Sequence, residues 1–397
     1  MSQEIFRKLR KMLMEKLDVY RELTDQEILE TIDELIVNTL RESGVSLKEK
    51  VQLRQELFYS VRKLDVLQEL IEDETVTEIM VNGPDAIFVE RKGKLTRWQK
   101  TFTDQEKLED VIQQIVGKCN RIVNESSPIV DARLENGSRV NVVAAPVALN
   151  GPILTIRRFP DKPITMERLI ELGSITPECA RFLEKLVEAR YSIVIGGGTG
   201  CGKTTFLGAL SEYIPKDERI ITIEDNAELK IQGIDNLVRL EARPASVNGA
   251  PPVSIRDLIR TALRMRPSRI IVGEVRGGEA MDMLQALNTG HEGSLGTAHA
   301  NSCRDMLARL EIMTLMAELE LPLAAVRRQI ASGVDILIHL GRMRDKSRKL
   351  LEVSEVCGYE DGEIKIQPLY QWQEKKGLVQ AAPLMHREKL ERAGVKL

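Results

Sequence analysis

Cysteine, aromatic side chains and long uncharged runs are all scarce in this 397-residue chain. The five cysteines, Cys119, Cys179, Cys201, Cys303 and Cys357, are odd in number, and no two stand close enough for a CxxC-type ligand pair. A zinc module or a disulfide framework is therefore not expected, and reduced, buried thiols are. Aromatics are only 4 %, and Lys plus Arg (57) nearly balances Asp plus Glu (60) for a net charge of −3. The basic, stacking-rich signature of a general nucleic-acid binder is missing, so no nucleic-acid partner is expected. The longest stretch without a charged residue, Val140 to Ile156, is interrupted by Asn141, Pro146, Asn150, Gly151 and Pro152, which excludes it as a membrane span. The opening MSQEIFRKLRKMLMEKLD is charged throughout and has no apolar h-region, so a cytosolic protein without a secretory signal is expected.

What is present is ordinary globular material, 43 % hydrophobic and 29 % charged, enough for two to three domains at about 150 residues each. Residues 1–62 read as a small helical bundle. Ile5, Leu9, Met12, Leu13 and Leu17 recur at helical spacing, as do Ile28, Ile32, Leu35, Ile36 and Leu40. Thr24 with Glu27 forms a capping-box start, and Gly44 is expected to stop a helix. Residues 63–157 read as a small α+β domain. TEIMVNG, AIFVERKG and KLTRWQ are strands divided by turn signals, DQEKLEDVIQQIVGKCNRIV is a helix, and PIVDARLENG, SRVNVVAAP and PILTIRRF are three more strands. Phe159-Pro160-Asp161-Lys162-Pro163 marks a linker over 158–164. From 165 to 375 strands alternate with helices, the pattern of an α/β layer with a mainly parallel sheet. A polar, weakly ordered tail is expected over 376–397.

The chemistry is carried by Gly197-Gly198-Thr199-Gly200-Cys201-Gly202-Lys203-Thr204, which fits G-x-x-x-x-G-K-[ST] at every fixed position. It follows an apolar strand and opens a helix, the context the motif requires. Glycines let successive backbone N–H groups point into one concavity, and the helix N-terminus adds positive potential. Lys203 would neutralise the β- and γ-phosphates, and the Thr204 hydroxyl would ligate Mg²⁺. Two strands end in acids: RIIVGE at Glu274, and IITIED at Glu224 and Asp225. Either could orient the attacking water or hold the metal through water, although a solvated strand-end acid would look the same in sequence.

His291 and His299 bracket the glycine-rich GHEGSLGTAHAN. A zinc pair is not expected without a third ligand, and His299 qualifies as a γ-phosphate sensor only if its strand neighbours the phosphate-loop strand. Arginines cluster in VRLEARP (Arg239, Arg243) and SIRDLIRTALRMRP (Arg256, Arg260, Arg264, Arg266). Most of these are expected to form a solvated basic face. One or two could reach a neighbouring subunit's γ-phosphate, as could Arg157 or Arg158 from the smaller domain.

In combination, the phosphate loop GGTGCGKTT, the acidic box TIEDNAEL, the acidic strand RIIVGEVRG and the histidine box GTAHANS resemble the secretion and type IV pilus ATPase superfamily. RLEARP, RTALRMRPSRIIVGEVRGGEAMDMLQALNTGHEGS and DARLENGSRVNVVAAP most resemble its CpaF/TadA branch, which serves tight-adherence (Flp) pili. The resemblance spans about residues 60 to 360. It implies a RecA-like ATPase domain behind a mobile smaller domain, ATP and Mg²⁺ as ligands, and a homohexameric ring. It also implies docking on an inner-membrane platform protein, peripherally on the cytoplasmic face. Gly197, Gly202, Lys203, Thr204 and Thr205 match the phosphate site, Glu224 the acidic-box glutamate, Glu274 the acidic-strand glutamate and His299 the histidine-box residue. Motif order leaves the general base open between the two glutamates, with Glu274 favoured. Cys201, and Gly296 where Ser or Thr is frequent, are mild departures. A nucleic-acid translocase and a nucleotide-gated scaffold that does not hydrolyse ATP remain as rival functions.

Overall fold

The apolar spacing at the start of the chain becomes α1 (Gln3–Lys16), α2 (Asp25–Thr39) and α3 (Leu47–Arg62) in the computed structural model. The structure describes residues 3–17, 23–41, 45–91, 93–119, 121–134, 136–158, 163–243, 251–317 and 321–397. Leu9 and Leu13, Ile28, Ile32, Leu35 and Ile36, and Leu53 and Leu57 close into one apolar core between the three helices. The capping box at Thr24 forms: Glu27 N–H donates to the Thr24 hydroxyl at 3.3 Å, and Thr24 N–H to Glu27 Oε2 at 2.8 Å. Ser46 and Glu49 repeat it on α3, a start the sequence reading passed over. The stop expected at Gly44 lies outside the described residues.

After a short α4 (Gln68–Glu72) come β1 (Val76–Asn82), β2 (Ile87–Arg91), β3 (Lys94–Arg97), α5 (Gln105–Lys118), β4 (Ile129–Arg133), β5 (Arg139–Val143) and β6 (Ile153–Arg157). The strands form an antiparallel sheet in the order β3-β2-β1-β6-β5-β4. Alternate residues, such as Ile79 and Val81 or Val140 and Val142, meet Leu108, Val111, Ile112 and Ile115 of α5. The helix ends at Lys118, short of the expected Val123. The chain divides into two compact units, Met1–Asp161 and Lys162–Leu397. Of the expected linker, residues 159–162 lie outside the described residues.

The second unit runs α6 (Met166–Glu171), α7 (Pro177–Glu188), β7 (Ile193–Gly197), α8 (Lys203–Ser211), β8 (Ile220–Glu224), β9 (Leu237–Glu241), α9 (Ile255–Ala262), β10 (Arg269–Val275), α10 (Glu279–Asn288), β11 (Leu295–Ala298) and α11 (Cys303–Leu315). It ends with α12 (Leu323–Gly333), β12 (Ile336–Arg342), β13 (Arg348–Glu360), β14 (Glu363–Gln373), β15 (Gly377–Gln380) and α13 (Glu388–Ala393). The sheet order is β15-β14-β13-β12-β7-β11-β10-β8-β9, parallel from β12 to β9 and antiparallel beyond β12. Both faces are covered, which is why its strands read as continuous apolar runs. Ile193 and Ile195 join a core with α7 and α8, while Val194 joins a second core with α9 to α12.

The segment expected to be a weakly ordered tail is built into this unit. β15 pairs with β14, and Leu384 and Leu390 are buried. Lys389 Nζ lies 2.6 Å from Asp335 Oδ2, and the Tyr191 hydroxyl donates to the His386 carbonyl at 2.7 Å. Polar composition misled here because the segment is anchored by few apolar residues and by partners nearly two hundred positions away.

Candidate functional site

A doubly covered parallel sheet presents its ligand crevice at the carboxyl ends of the strands, and the phosphate loop leaves β7 there. Gly202 has φ +95° and caps α8 from the left-handed region, which glycine enters without strain. At Gly197 the limit is space: a Cβ would stand 2.6 Å from the Leu340 carbonyl oxygen on β12. Gly198, Thr199 and Gly200 are exposed at the loop tip. Cys201 instead turns into the core, and burial pushes its thiol pKa up, so it packs as a small apolar residue. Thr204 and Thr205 lie half-buried on the first turn of α8.

Lys203 is 8 % exposed. Its ammonium donates to the carbonyls of Gly197 (3.2 Å) and Gly198 (3.4 Å), and stands 3.6 Å from Glu274 Oε1 and 3.4 Å from His299 Nδ1. The condition set for His299 is met: β11 pairs with β7, with Ala298 level with Gly196, so the histidine follows the strand beside the loop. His299 Nε2 is 2.8 Å from Glu274 Oε1. Burial lowers its pKa, with Lys203 and Arg276 adding to the effect against the pull of Glu274, which favours the neutral ring. Its hydrogen bonds then fix the tautomer: Nε2–H donates to Glu274, and Nδ1 accepts from Lys203. His291 lies at the other end of β11, away from this cluster, its carbonyl accepting the Ser294 hydroxyl at 2.7 Å. At position 296 a Cβ would meet Met283 Sδ at 3.1 Å, a close approach that Met283 would have to relieve.

Arg276, which sequence reasoning did not single out, completes the cluster. Its Nε donates to Glu274 Oε2 at 2.7 Å, its Nη2 reaches the same oxygen, and its Nη1 lies 3.6 Å from Asp225 Oδ2. The signal was available in GEVRG, two residues past Glu274.

Glu224 sits apart, buried at the end of β8 and folded over Gly273 of β10, where a Cβ would come within 2.8 Å of its Cγ. Its Oε1 accepts the N–H groups of Glu228 and Leu229, both at 2.9 Å, while Oε2 is buried without a hydrogen-bond partner among the described residues. Burial raises its pKa from 4.5 to about 7, against the two N–H bonds that lower it. A carboxyl group whose folded pKa is raised costs stability as pH climbs from 4.5 towards 7, because the unfolded chain ionises first. Removing a shift from 4.5 to about 7 is worth about 3 kcal/mol at alkaline pH. Glu224→Gln is therefore expected to match the parent in urea unfolding near pH 4 and to exceed it by roughly that amount at pH 8. Equal stability at both pH values would show that Glu224 ionises freely.

The arginines divide. Arg239 is exposed on β9 with a 3.3 Å bond to the Ala227 carbonyl, and Arg243 is exposed with a 3.1 Å bond to the Pro251 carbonyl. Within the chain neither joins Lys203. Arg256 and Arg260 each place Nε 2.8 Å from an oxygen of buried Asp282; Arg260 stays exposed, as expected of a solvated face, while Arg256 is half-buried. α9 ends at Ala262, so Arg264 falls outside the helix. Arg157, exposed at the end of β6, and Arg158, whose Nη1 donates to the Asp73 carbonyl, belong to the first unit.

Among the described residues no three His, Cys, Asp or Glu side chains are grouped to hold a metal ion. Mg²⁺ in phosphate sites takes few protein ligands, with phosphate oxygens and waters completing its shell. Thr204, on the first turn after the loop, fits that requirement. No helix of the described residues is long and apolar enough to cross a membrane.

The family described as "Type II/IV secretion system protein" matches residues 61–380. A Mycobacterium tuberculosis protein named for conjugal transfer is 36 % identical over 327 residues, 81 % of this chain and 91 % of the relative. The type IV secretion system protein VirB11 of Brucella suis is 32 % identical over 303 residues, 70 % of this chain and 84 % of the relative. Among solved structures, the pilus retraction motor PilT with bound ADP superposes with a TM-score of 0.53 at 20 % identity, over 83 % of this chain and 86 % of that one. The Yersinia pseudotuberculosis ATPase DotB gives 0.54 at 19 %, over 73 % and 77 %. The fold is thus an N-terminal domain followed by a RecA-like domain, and on the match over residues 61–380 the chain belongs to the type II/IV secretion system protein family.

Proposed function

We propose that this chain is an ATP-hydrolysing motor that works as a homohexameric ring on the cytoplasmic face of the inner membrane, driving pilus assembly or protein secretion. One observation carries the ATPase proposal: Lys203, His299 and Glu274 meet at the carboxyl ends of neighbouring strands, directly above the phosphate loop. In this assignment Gly197 to Thr205 bind the phosphates of ATP, and Thr204 holds Mg²⁺. The metal would screen charge on the β- and γ-phosphates. Glu274 takes the proton of the attacking water as its oxygen bonds to the γ-phosphorus and the bond to ADP breaks. His299 holds that carboxylate and senses the γ-phosphate, while Glu224 positions water or metal from the acidic box.

Arg239 and Arg243, exposed at the sheet edge, are assigned to a neighbouring subunit's nucleotide, and Arg157 and Arg158 to nucleotide phosphate binding. The CpaF/TadA subtype and an inner-membrane platform partner rest on the motif runs RLEARP and RTALRMRPSRIIVGEVRGGEA. ATP turnover by the purified protein with magnesium, measured with and without single-stranded DNA, tests the assignment. Turnover indifferent to DNA is expected. Strong stimulation would make the chain a nucleic-acid translocase, and ATP binding without turnover a gated scaffold.

A further inference from the structure

On the side of β7 opposite His299 stand two arginines that the proposed reaction leaves unused. β12 and β13 form an antiparallel hairpin in which Arg342 faces Arg348 directly. Like charges opposed across a ladder disfavour its pairing. Neither guanidinium has a hydrogen-bond or ion-pair partner among the described residues. The acid of the connecting turn, Asp345, is taken by the Ser347 N–H (2.9 Å) and hydroxyl (2.6 Å). Lys349 is likewise engaged, at 2.6 Å from the Gly173 carbonyl. Both side chains are exposed, so water solvates them in the absence of nucleotide and the pair is open to an anion.

Its position says which. β12 runs parallel to β7 with Leu340 level with Gly197, so the hairpin rises beside the phosphate loop. Leu340 and Leu350 point into the core shared with Phe206 and Leu207 of α8. Strand alternation therefore turns Arg342 and Arg348, each two residues nearer the hairpin turn, to that same face. Arg348 reaches the loop itself, since a Cβ on Gly202 would stand 3.4 Å from its Cδ. Glu274 and His299 come from the β11 side of β7, which makes that the γ-phosphate end. On that assignment the rest of the phosphate chain lies on the other side of the loop, towards β12.

We propose that Arg342 and Arg348 form a second anion seat that receives the α-phosphate end of the nucleotide and so retains ADP once the γ-phosphate is gone. This rests on the ATP assignment above. The test is equilibrium binding of ADP with magnesium to the full chain, alongside thermal melts without nucleotide, for the parent, Lys203→Ala, Arg342→Ala, Arg348→Ala and Arg348→Lys. Each Arg→Ala change is expected to weaken ADP by about tenfold or more, as loss of a charge-assisted phosphate contact does. Arg348→Lys should fall between them and the parent. Without nucleotide the alanine variants should melt no lower than the parent, because the like-charge opposition is gone; a structural role would predict the reverse. Parent-like ADP affinity in both alanine variants, with binding lost in Lys203→Ala, overturns the seat and leaves the ATP assignment standing. A parent protein that binds no ADP overturns both.

Discussion

Lys203→Ala is expected to abolish ATP turnover and to weaken ATP binding by about two orders of magnitude, read by a phosphate-release assay and by calorimetry. The ammonium is almost enclosed, and its near neighbours are two loop carbonyls, one carboxylate and one imidazole nitrogen. Bringing in a polyphosphate beside an alanine would place several negative charges near Glu274 without the ammonium between them, and Arg276, tied to Glu274, and Arg348, across the loop, do not fill its place. The fold should survive the change. Glu274 keeps His299 at 2.8 Å and Arg276 at 2.7 Å, so no buried charge is left alone, and a melting temperature within a few degrees of the parent is expected. Residual turnover above about a tenth of the parent would place the reaction outside this pocket.

How much of this site could be read from the sequence depended on the range of the interaction. The phosphate loop was legible because its requirements are local: β7, the glycines and α8 are contiguous, and each residue type answers to a backbone need. The strands ending at Glu224 and Glu274 were legible as apolar runs for the same reason. Their meeting was not. That His299 and Glu274 converge on Lys203 follows from the order β7-β11-β10, which chain order does not dictate. Arg276 was passed over because a lone arginine after a strand has many uses until its carboxylate partners are in view. β9 was read as an arginine run because an edge strand carries polar residues on a solvent face. The ion pairs of Arg256 and Arg260 are not legible from α9 alone, because their anchor, Asp282, is supplied by another helix.

Glu274→Gln should leave ATP bound and stop its hydrolysis, with turnover lower by about a thousandfold, in the range by which a positioned proton acceptor contributes. The amide keeps the shape of the side chain and can still accept from His299, but it cannot take the proton of water. Binding should not suffer and is expected to tighten. Without nucleotide, Lys203 is neutralised by Glu274 at 3.6 Å, and phosphate must displace that carboxylate to gain the ammonium. The amide offers no such competition. Arg276 loses its ion pair with Glu274 but keeps Asp225 at 3.6 Å, so it stays near its place at the strand ends. Tighter ATP binding together with lost turnover separates a proton acceptor from a residue that merely shapes the pocket, which would weaken both. Parent-like turnover in Glu274→Gln would transfer the base to Glu224, whose carboxyl, held near pKa 7 by burial, has the proton affinity for it.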